Sequence, residues 1–347
     1  MNLLHLSSEK GLRGGENQLL LLAGRTKPGI SEWYGVPRGS GLSSALPASA
    51  TTLPVNCRGL LDLGSIATIR TLARSEDIDL IHAHSNRAHK TAAAAKLGRR
   101  QRLVVSRRNA FRCRGGMVYQ AADYFITISE AGRRALRAGG IAADRISIIH
   151  DAVDEPALDA AQPERLGLGE DATLILCVAA FTAEKDHNTL LNAWQLVQKK
   201  CPQAHLVLAG DGPDLARIRA QADGLSRVSF LGWRNDVASL IKGADIVALA
   251  SREEGLGSSL CAAQWAGKPV VATTAGGIVE AVSDRETGLL SPPGDAEQLA
   301  RNLITLSEDS ALRRGYGEAA AARARSMFSL DTFHARHLEI YRRLTGA

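Results

Sequence analysis

Five short apolar runs in the second half of the chain limit its possible folds more than any other feature. They are LILCVA (174–179), HLVLAG (205–210), VSFLG (228–232), DIVALAS (245–251) and KPVVAT (268–273). Each is too short for a typical helix, rich in Val, Ile and Leu, and bounded by Gly, Pro, Asp or Asn. Unbroken rather than alternating apolar character suits a strand buried on both faces of a parallel sheet. Helical patterns lie between the runs. In NTLLNAWQLVQ the side chains of Leu190, Leu191, Trp194 and Val197 share one face, and Asp186 or Asn188 is placed to cap the start. Strand and helix in alternation specify a doubly wound α/β domain.

The first half repeats this theme less regularly. LLHLS (3–7), IDLIHAH (78–84), LVVSRR (103–108), YFITIS (124–129) and ISIIH (146–150) read as strands, and IATIRTLAR as an amphipathic helix. The stretch from Thr26 to Val55 is rich in Gly, Pro, Ser and Ala and permits no assignment. AVDEPALDAAQPE reads as an interdomain linker. A chain of 347 residues exceeds the roughly 250–300 at which single cores stop growing, so two domains are expected. The expected architecture is two Rossmann-like domains, 1–155 and 156–330, facing across a cleft. A C-terminal helix, 331–347, crosses back toward the first domain.

Composition excludes several classes. The five cysteines, Cys57, Cys113, Cys177, Cys201 and Cys261, are dispersed without Cys-x-x-Cys spacing, which argues for reduced thiols and a cytoplasmic location. No apolar run approaches the roughly 20 residues that span a bilayer, and MNLLHLSSEKG lacks the pattern of a secretory signal. The net charge of +6 is concentrated between Arg99 and Arg137, where ten arginines face only Asp123 and Glu130. Such a segment is either a solvated surface or a basic face for an anionic acceptor or membrane surface. Nucleic acid is not expected, since no aromatic platform or nucleic-acid motif accompanies the charge.

Ligands of parallel α/β sheets collect at strand carboxyl ends, against helix N-termini. In SREEGLGSSLCAAQWAGKPVVAT (251–273) a strand ends, Gly255 and Gly257 allow close backbone approach, and a helix starts near Ser258. The amides of Ser258, Ser259 and Leu260 would then form an anion site with the helix dipole behind them. Glu254, itself an anion, suits sugar hydroxyls rather than phosphate. Lys185 lies in a strand-to-helix loop from which it could reach a diphosphate. Gly14 and Gly15 follow the first strand, and Arg107 and Arg108 end another. His82 and His84 share a strand face, but no carboxylate or cysteine cluster joins them in the sequence, so no metal is expected. His84 is instead a candidate for the cleft lining. Asp211, in GDGP, is explained as a turn. Gly-x-Ser-x-Gly, Walker A and Gly-x-Gly-x-x-Gly patterns are missing, which disfavours hydrolase, ATPase and simple dinucleotide enzymes.

The ordered set LILCVAAFTAEKDHNTLLNAW, LVLAGDGP, VSFLGWRNDV, DIVALASREEGLGSSLCAAQWAGKPVVATTAGGIVEAV and TGLLSPPGD resembles the retaining glycosyltransferases of the GT-B fold, family four. The resemblance implies a metal-independent transfer, without cofactor, from a UDP-, GDP- or ADP-sugar to an acceptor held by the first domain. It implies that Glu254, with Gly255 and Leu256, contacts the donor sugar. Gly257, Ser258, Ser259, Leu260 and Lys185 hold the diphosphate, and Gly14 and Gly15 close over it. The region of Trp233 and Arg234 reads the base. The arginine-rich first domain adds an anionic glycolipid or lipopolysaccharide-core acceptor, met at the inner membrane face, with His84, Arg107, Arg108 and Arg112 on the acceptor side.

Three positions depart from the family pattern. Its second glutamate, eight residues after the first, is Ala262, and Gln264 lies about 200° around a helix from that place. Its arginine five residues before the lysine is Ala180, and its histidine after LVVS is replaced by Arg107 and Arg108, of which Arg108 is a candidate to supply the missing charge at the reacting centre. Other readings of the chain are a non-catalytic binding subunit that keeps the fold, or a nucleotide-sugar epimerase or phosphorylase.

Overall fold

The computed structural model describes residues 1–346 apart from 13, 26–28, 97–99, 109–115 and 170. It divides into two units, Met1–Ala152 with Leu330–Ala347, and Val153–Ser329. The first contains β1 (Asn2–Leu6), β2 (Ser31–Val36), β3 (Thr51–Pro54), β4 (Leu80–Ala83), β5 (Arg102–Arg107), β6 (Tyr124–Thr127) and β7 (Ile146–Ile148). These form one parallel sheet in the order β3-β2-β1-β4-β5-β6-β7. The second contains β8 (Thr173–Val178), β9 (Ala204–Ala209), β10 (Val228–Gly232), β11 (Ile246–Leu249), β12 (Val270–Thr273) and β13 (Gly288–Ser291), in the order β10-β9-β8-β11-β12-β13, again all parallel. Both are doubly wound Rossmann-like sheets, and the five apolar runs fall on β8 to β12.

In each sheet the first strand lies between its successor and a strand that arrives much later: β1 between β2 and β4, β8 between β9 and β11. The loops leaving the two central strands therefore run to opposite sides. Such switch points are where open α/β sheets form ligand crevices.

The region that the sequence left unassigned holds β2, β3 and the helix Gly41–Ala45. Three of the four residues of β3 are exposed, so this edge strand lacks the continuous apolar run of a central one. The expected linker is folded as well. It carries the helix Glu155–Ala160, capped by Asp154 through the Ala157 amide at 3.2 Å and tied to Lys242 Nζ, which donates to the carbonyls of Asp159 and Ala161 at 3.1 and 2.8 Å. Asp186 rather than Asn188 caps the helix His187–Lys200, whose Leu190, Leu191, Trp194 and Val197 are buried. Cys57, Cys177, Cys201 and Cys261 are buried free thiols; Cys113 lies outside the described residues.

The C-terminal helix Leu330–Thr345 packs on the first sheet. Leu330, Phe333, Ile340 and Tyr341 join Leu3, Leu80, Val104 and Ile126 in one core cluster. Polar bonds fix its register: His334 Nε2 lies 2.9 Å from the Leu21 carbonyl, Arg102 Nε donates to the Leu344 carbonyl at 3.2 Å, and the Tyr341 hydroxyl lies 2.6 Å from His82 Nδ1.

Burial, chiefly, holds the imidazoles of His82 and His84 well below their ordinary pKa, with further lowering from Arg108, and brings His89 and His337 down to about 4 and about 3. Unfolding frees these rings to bind protons below about pH 6.5, whereas the folded domain does not. Stability is thus fully present above about pH 6.5 and declines as the pH falls toward 4, by about 1.4 kcal/mol per pH unit for each ring. Urea unfolding should show a clearly lower midpoint at pH 5.5 than at pH 7.5. Equal midpoints would mean that the rings are protonated in the folded protein.

Candidate active site

The loops that diverge at the second switch point carry the principal candidates. After β8 the chain passes Ala180 and Phe181 into a single turn of 3-10 helix, Ala183–Lys185, and Asp186 takes a left-handed φ of 44° to start the next helix. After β11 comes the loop with Glu254. The two loops are stitched together: the Arg252 amide donates to the Glu184 carbonyl at 2.8 Å, and Arg252 Nε donates to Asp186 Oδ2 at 2.6 Å. This places Lys185 Nζ against the Glu254 carboxylate as a hydrogen-bonded ion pair. The carboxylate also accepts from Ser251 Oγ at 3.2 Å and from the Gly255 amide at 3.1 Å.

Both charges are largely shielded, at 21% and 12% side-chain exposure. Left apart at that depth, each would be costly. The residues expected to hold the diphosphate and the sugar therefore hold each other, and a ligand engaging either must exchange with this pair.

A third loop clamps Glu254 from behind. Gly276, at φ +54°, approaches so closely that a Cβ there would lie 1.9 Å from the Glu254 carbonyl, which also accepts from the Gly277 amide at 3.2 Å. Similar close approaches join the loops after β8 and β9: a Cβ on Gly210 would lie 1.9 Å from the Ala179 carbonyl, and one on Gly212 2.4 Å from that of Phe181. Sequence reasoning passed over Ser251, Arg252 and Gly276. The Gly-Gly pair in TTAGGIVEAV was the one visible signal, since only glycine fits such contacts.

The helix Ser258–Trp265 starts behind Gly257, which is left-handed at φ 86°. Of the three amides expected to point outward, that of Leu260 is already used: it donates to the Gly257 carbonyl at 2.9 Å, as does that of Cys261 at 3.1 Å. The amides of Ser258 and Ser259 have no partner among the described residues, so the helix start offers two open donors rather than the three expected. Leu256 and Leu260 are buried and supply packing. Ala262 is half-buried, whereas Gln264 is fully buried and donates to the Ala281 carbonyl at 3.0 Å, away from the ribose position that the family pattern assigns to 262. Trp233 is exposed on the turn after β10, and Arg234 is held in a fork by Asp236, with Nε to Oδ1 at 2.7 Å. Its guanidinium faces that carboxylate, leaving the Trp233 ring as the open apolar surface of the turn.

At the first switch point the structure assembles a buried polar cluster. His5 on β1 pairs in register with His82 on β4. His5 Nδ1 lies 2.9 Å from His84 Nε2, His5 Nε2 lies 3.2 Å from Glu32 Oε1, and His82 Nε2 lies 2.8 Å from Ser106 Oγ. The sequence placed neither His5 nor the Glu32 carboxylate beside His82 and His84, because they come from β1 and β2. His5, His82 and His84 bring ligand atoms within 4.8 Å of one another. Both nitrogens of His5 and both of His82 are nevertheless engaged, and the nearby Arg108 guanidinium opposes a further cation. A metal gathered by the three rings would have to displace the hydrogen bonds of His5 and His82.

His84 Nδ1 and Arg108 Nη1 are buried and have no partner among the described residues. Arg108 Nε donates to Asp151 Oδ1 at 3.0 Å, and burial pushes the Asp151 carboxyl up against the pull of that guanidinium. Gly15, in the first turn of the helix Gly14–Ala23, lies over the Arg108 side chain, with 3.8 Å from its Cβ position to Arg108 Cδ. Arg107 is committed to Tyr119, whose hydroxyl accepts from Nη1 at 2.7 Å. Arg112 lies outside the described residues.

Two family models match the chain, "Glycosyltransferase Family 4" over residues 37–155 and "Glycosyl transferases group 1" over residues 172–309. The N-acetyl-alpha-D-glucosaminyl L-malate synthase of Bacillus anthracis is 30% identical over 178 residues, 50% of this chain and 46% of that protein. The lipopolysaccharide core biosynthesis glycosyltransferase LpsE of Rhizobium meliloti is 28% identical over 179 residues, 51% of this chain and 52% of that protein. The matched segment thus spans about half the length of these relatives. A glycosyltransferase from Rickettsia africae superposes with a TM-score of 0.85 at 20% identity, covering 99% of this chain and 98% of the other. Anabaena HepE, solved in complex with UDP and glucose, superposes with a TM-score of 0.83 at 22% identity, covering 98% of both chains. These likenesses fix the GT-B fold, and with the two family models they show that the chain belongs to the group 1, family 4 glycosyltransferases.

Proposed function

We propose that the protein transfers a sugar from a nucleotide-sugar donor to an anionic glycolipid or saccharide acceptor, with retention of configuration and without a metal. The observation that carries this reading is the Lys185–Glu254 pair standing in the same loop system as the two unpartnered amides of Ser258 and Ser259. A cation and a helix start attract a diphosphate, and a carboxylate beside them accepts from sugar hydroxyls. The relative solved with UDP and glucose supports a nucleotide-sugar donor, and the lipopolysaccharide-core relative supports a glycolipid acceptor.

The chemistry follows from where charge develops. As the bond from the anomeric carbon to the diphosphate breaks, negative charge grows on the departing oxygen, and Lys185 with the helix amides stabilises it. Donor binding draws Lys185 away from Glu254, leaving the carboxylate to the sugar hydroxyls and the positive anomeric centre. The acceptor oxygen bonds to that carbon on the same face, and its proton passes to the departing phosphate oxygen. The exposed Trp233 ring offers a stacking surface for the base. In the first domain, His84 Nδ1 and Arg108 Nη1 are unused polar atoms, suited to a hydroxyl and an anionic group of the acceptor. The location expected for such an enzyme is the cytoplasm, at the inner membrane face; none of the described helices is long and apolar enough to cross a membrane.

A thermal-shift screen against UDP-, GDP- and ADP-sugars should give a rise in Tm with at least one donor, since saturating ligand adds about 2.7 kcal/mol at a hundredfold excess over Kd. A flat response to all three would favour the non-catalytic subunit suggested by Ala262 and Ala180. With the responsive donor, Glu254→Ala should lower donor hydrolysis or transfer by about 10²–10³-fold, and Lys185→Ala should also weaken the thermal shift. Near-normal turnover in Glu254→Ala would remove it from the chemistry. Gly276→Ala should weaken donor binding by displacing Glu254 from behind, at a cost of about 1–3 kcal/mol in strain. Isothermal titration beside urea unfolding separates these effects, and unchanged donor affinity would show that the contact does not position Glu254.

A further inference from the structure

The first domain carries an apolar projection that the donor chemistry does not use. Between β3 and the helix Leu63–Ser75, and at the start of that helix, Leu60, Leu61 and Leu63 are 46%, 92% and 74% exposed. A loop that merely tolerated leucines would leave its backbone to water, but this one is held rigidly. Asp62 caps the helix through the Ser65 amide at 3.1 Å, accepts from the Arg58 amide at 2.9 Å, and binds Ser65 Oγ at 2.8 Å. Ser65 Oγ in turn accepts from the amides of Asn56 and Cys57 at 3.2 and 3.3 Å. Gly59 is bound on both sides by Thr91, its amide donating to Oγ1 at 3.1 Å and its carbonyl accepting from it at 3.0 Å. The polar groups point inward and three leucines point out.

The surroundings are cationic. Thr91 belongs to the helix Asn86–Lys96, NRAHKTAAAAK, which contains no acidic residue. Its exposed Arg87 lies one turn before Thr91, and Arg58 stands at the base of the projection. The one carboxylate of the loop, Asp62, is consumed by its three hydrogen bonds within the turn. Burial opposes its ionisation, but the bonds from Arg58 and Ser65 outweigh that and hold it below the usual carboxylate range. On the other flank of the same helix, where His89 Nε2 lies 3.0 Å from the Val118 carbonyl, Met117 is 91% exposed.

All of these follow carboxyl ends of first-sheet strands, the edge on which that sheet presents its loops. Apolar side chains held outward among arginines, with the loop's own carboxylate engaged, suit the interface of an anionic bilayer, where leucines enter the acyl boundary and arginines meet headgroup phosphates. A protein partner would more commonly be matched by a broader surface with mixed charge.

We propose that the loop of Leu60, Leu61 and Leu63, with Arg58 and Arg87, docks the first domain on an anionic lipid surface. The inference deepens the reading of a glycolipid acceptor, since a transferase docked in this way would meet its acceptor at the membrane, but its test uses neither sugar nor nucleotide. The full chain should co-sediment with vesicles of phosphatidylglycerol and phosphatidylethanolamine, and much less with phosphatidylcholine or at raised salt. Leu61→Ser with Leu63→Ser should weaken this binding about tenfold while leaving the donor thermal shift unchanged. Leu61→Trp should give a blue-shifted emission with the anionic vesicles only. Binding that survives the serine substitutions, an emission from the Leu61→Trp variant that does not shift, or no vesicle binding at all would overturn the proposal. So would a dimer in solution that the serine substitutions dissolve, which would make the loop a contact between copies of this chain. Loss of the donor response without loss of vesicle binding would overturn the transferase reading alone.

Discussion

The position of the first strand in each sheet is the constraint on which the rest depends. Because β8 lies between β9 and β11, the loops after β8 and β11 leave neighbouring strands and turn apart at their carboxyl ends. A cation from one and a carboxylate from the other can then meet over the sheet edge without either entering the core. Lys185 and Glu254 do so, although 69 residues separate them in sequence. The same order in the first sheet brings His5 from β1 to His82 and His84, with β2 adding Glu32. One topology, used twice, gathers a charged pair in one domain and a chain of hydrogen-bonded imidazole rings in the other.

Precision at the charged pair comes from backbone contacts. Glycine at 276 lets one loop rest directly on the carbonyl of Glu254, and Arg252 holds the next loop through Asp186, the residue that caps the following helix. A side chain positioned by its own main chain in this way needs little reorganisation when charge develops beside it. Paired with each other, Lys185 and Glu254 avoid the desolvation that either would meet alone.

Much of this was legible in the residues. Runs such as LILCVA and DIVALAS announced central strands because a strand covered on both faces has no polar side to interrupt it. The loop glycines and Glu254 stood in a pattern specific enough to single out the loop after β11, which the fold sets beside the loop after β8. The outer strands β2 and β3 were not legible, since half-exposed edges carry mixed residues, and the helix Glu155–Ala160 was hidden in a stretch that its composition marked as a linker. The three-amide anion site was also too generous: the left-handed turn at Gly257 directs the Leu260 amide back to that residue's carbonyl.

Two doubly wound domains, the central strand runs and the charged residues Lys185 and Glu254 of the loops after β8 and β11 could be read from the residues alone. These are local matters of apolar period, glycine placement and helix capping, each read within a window of a few residues. Tertiary contacts alone made Lys185 and Glu254 neutralise each other, tied Arg107 and Arg108 to Tyr119 and Asp151, and enclosed the hydrogen-bonded histidines among four strands and the C-terminal helix. Those outcomes depend on strand order and on which loops come within hydrogen-bonding distance. Neither is written in any local pattern, because burial and pairing belong to the folded chain as a whole.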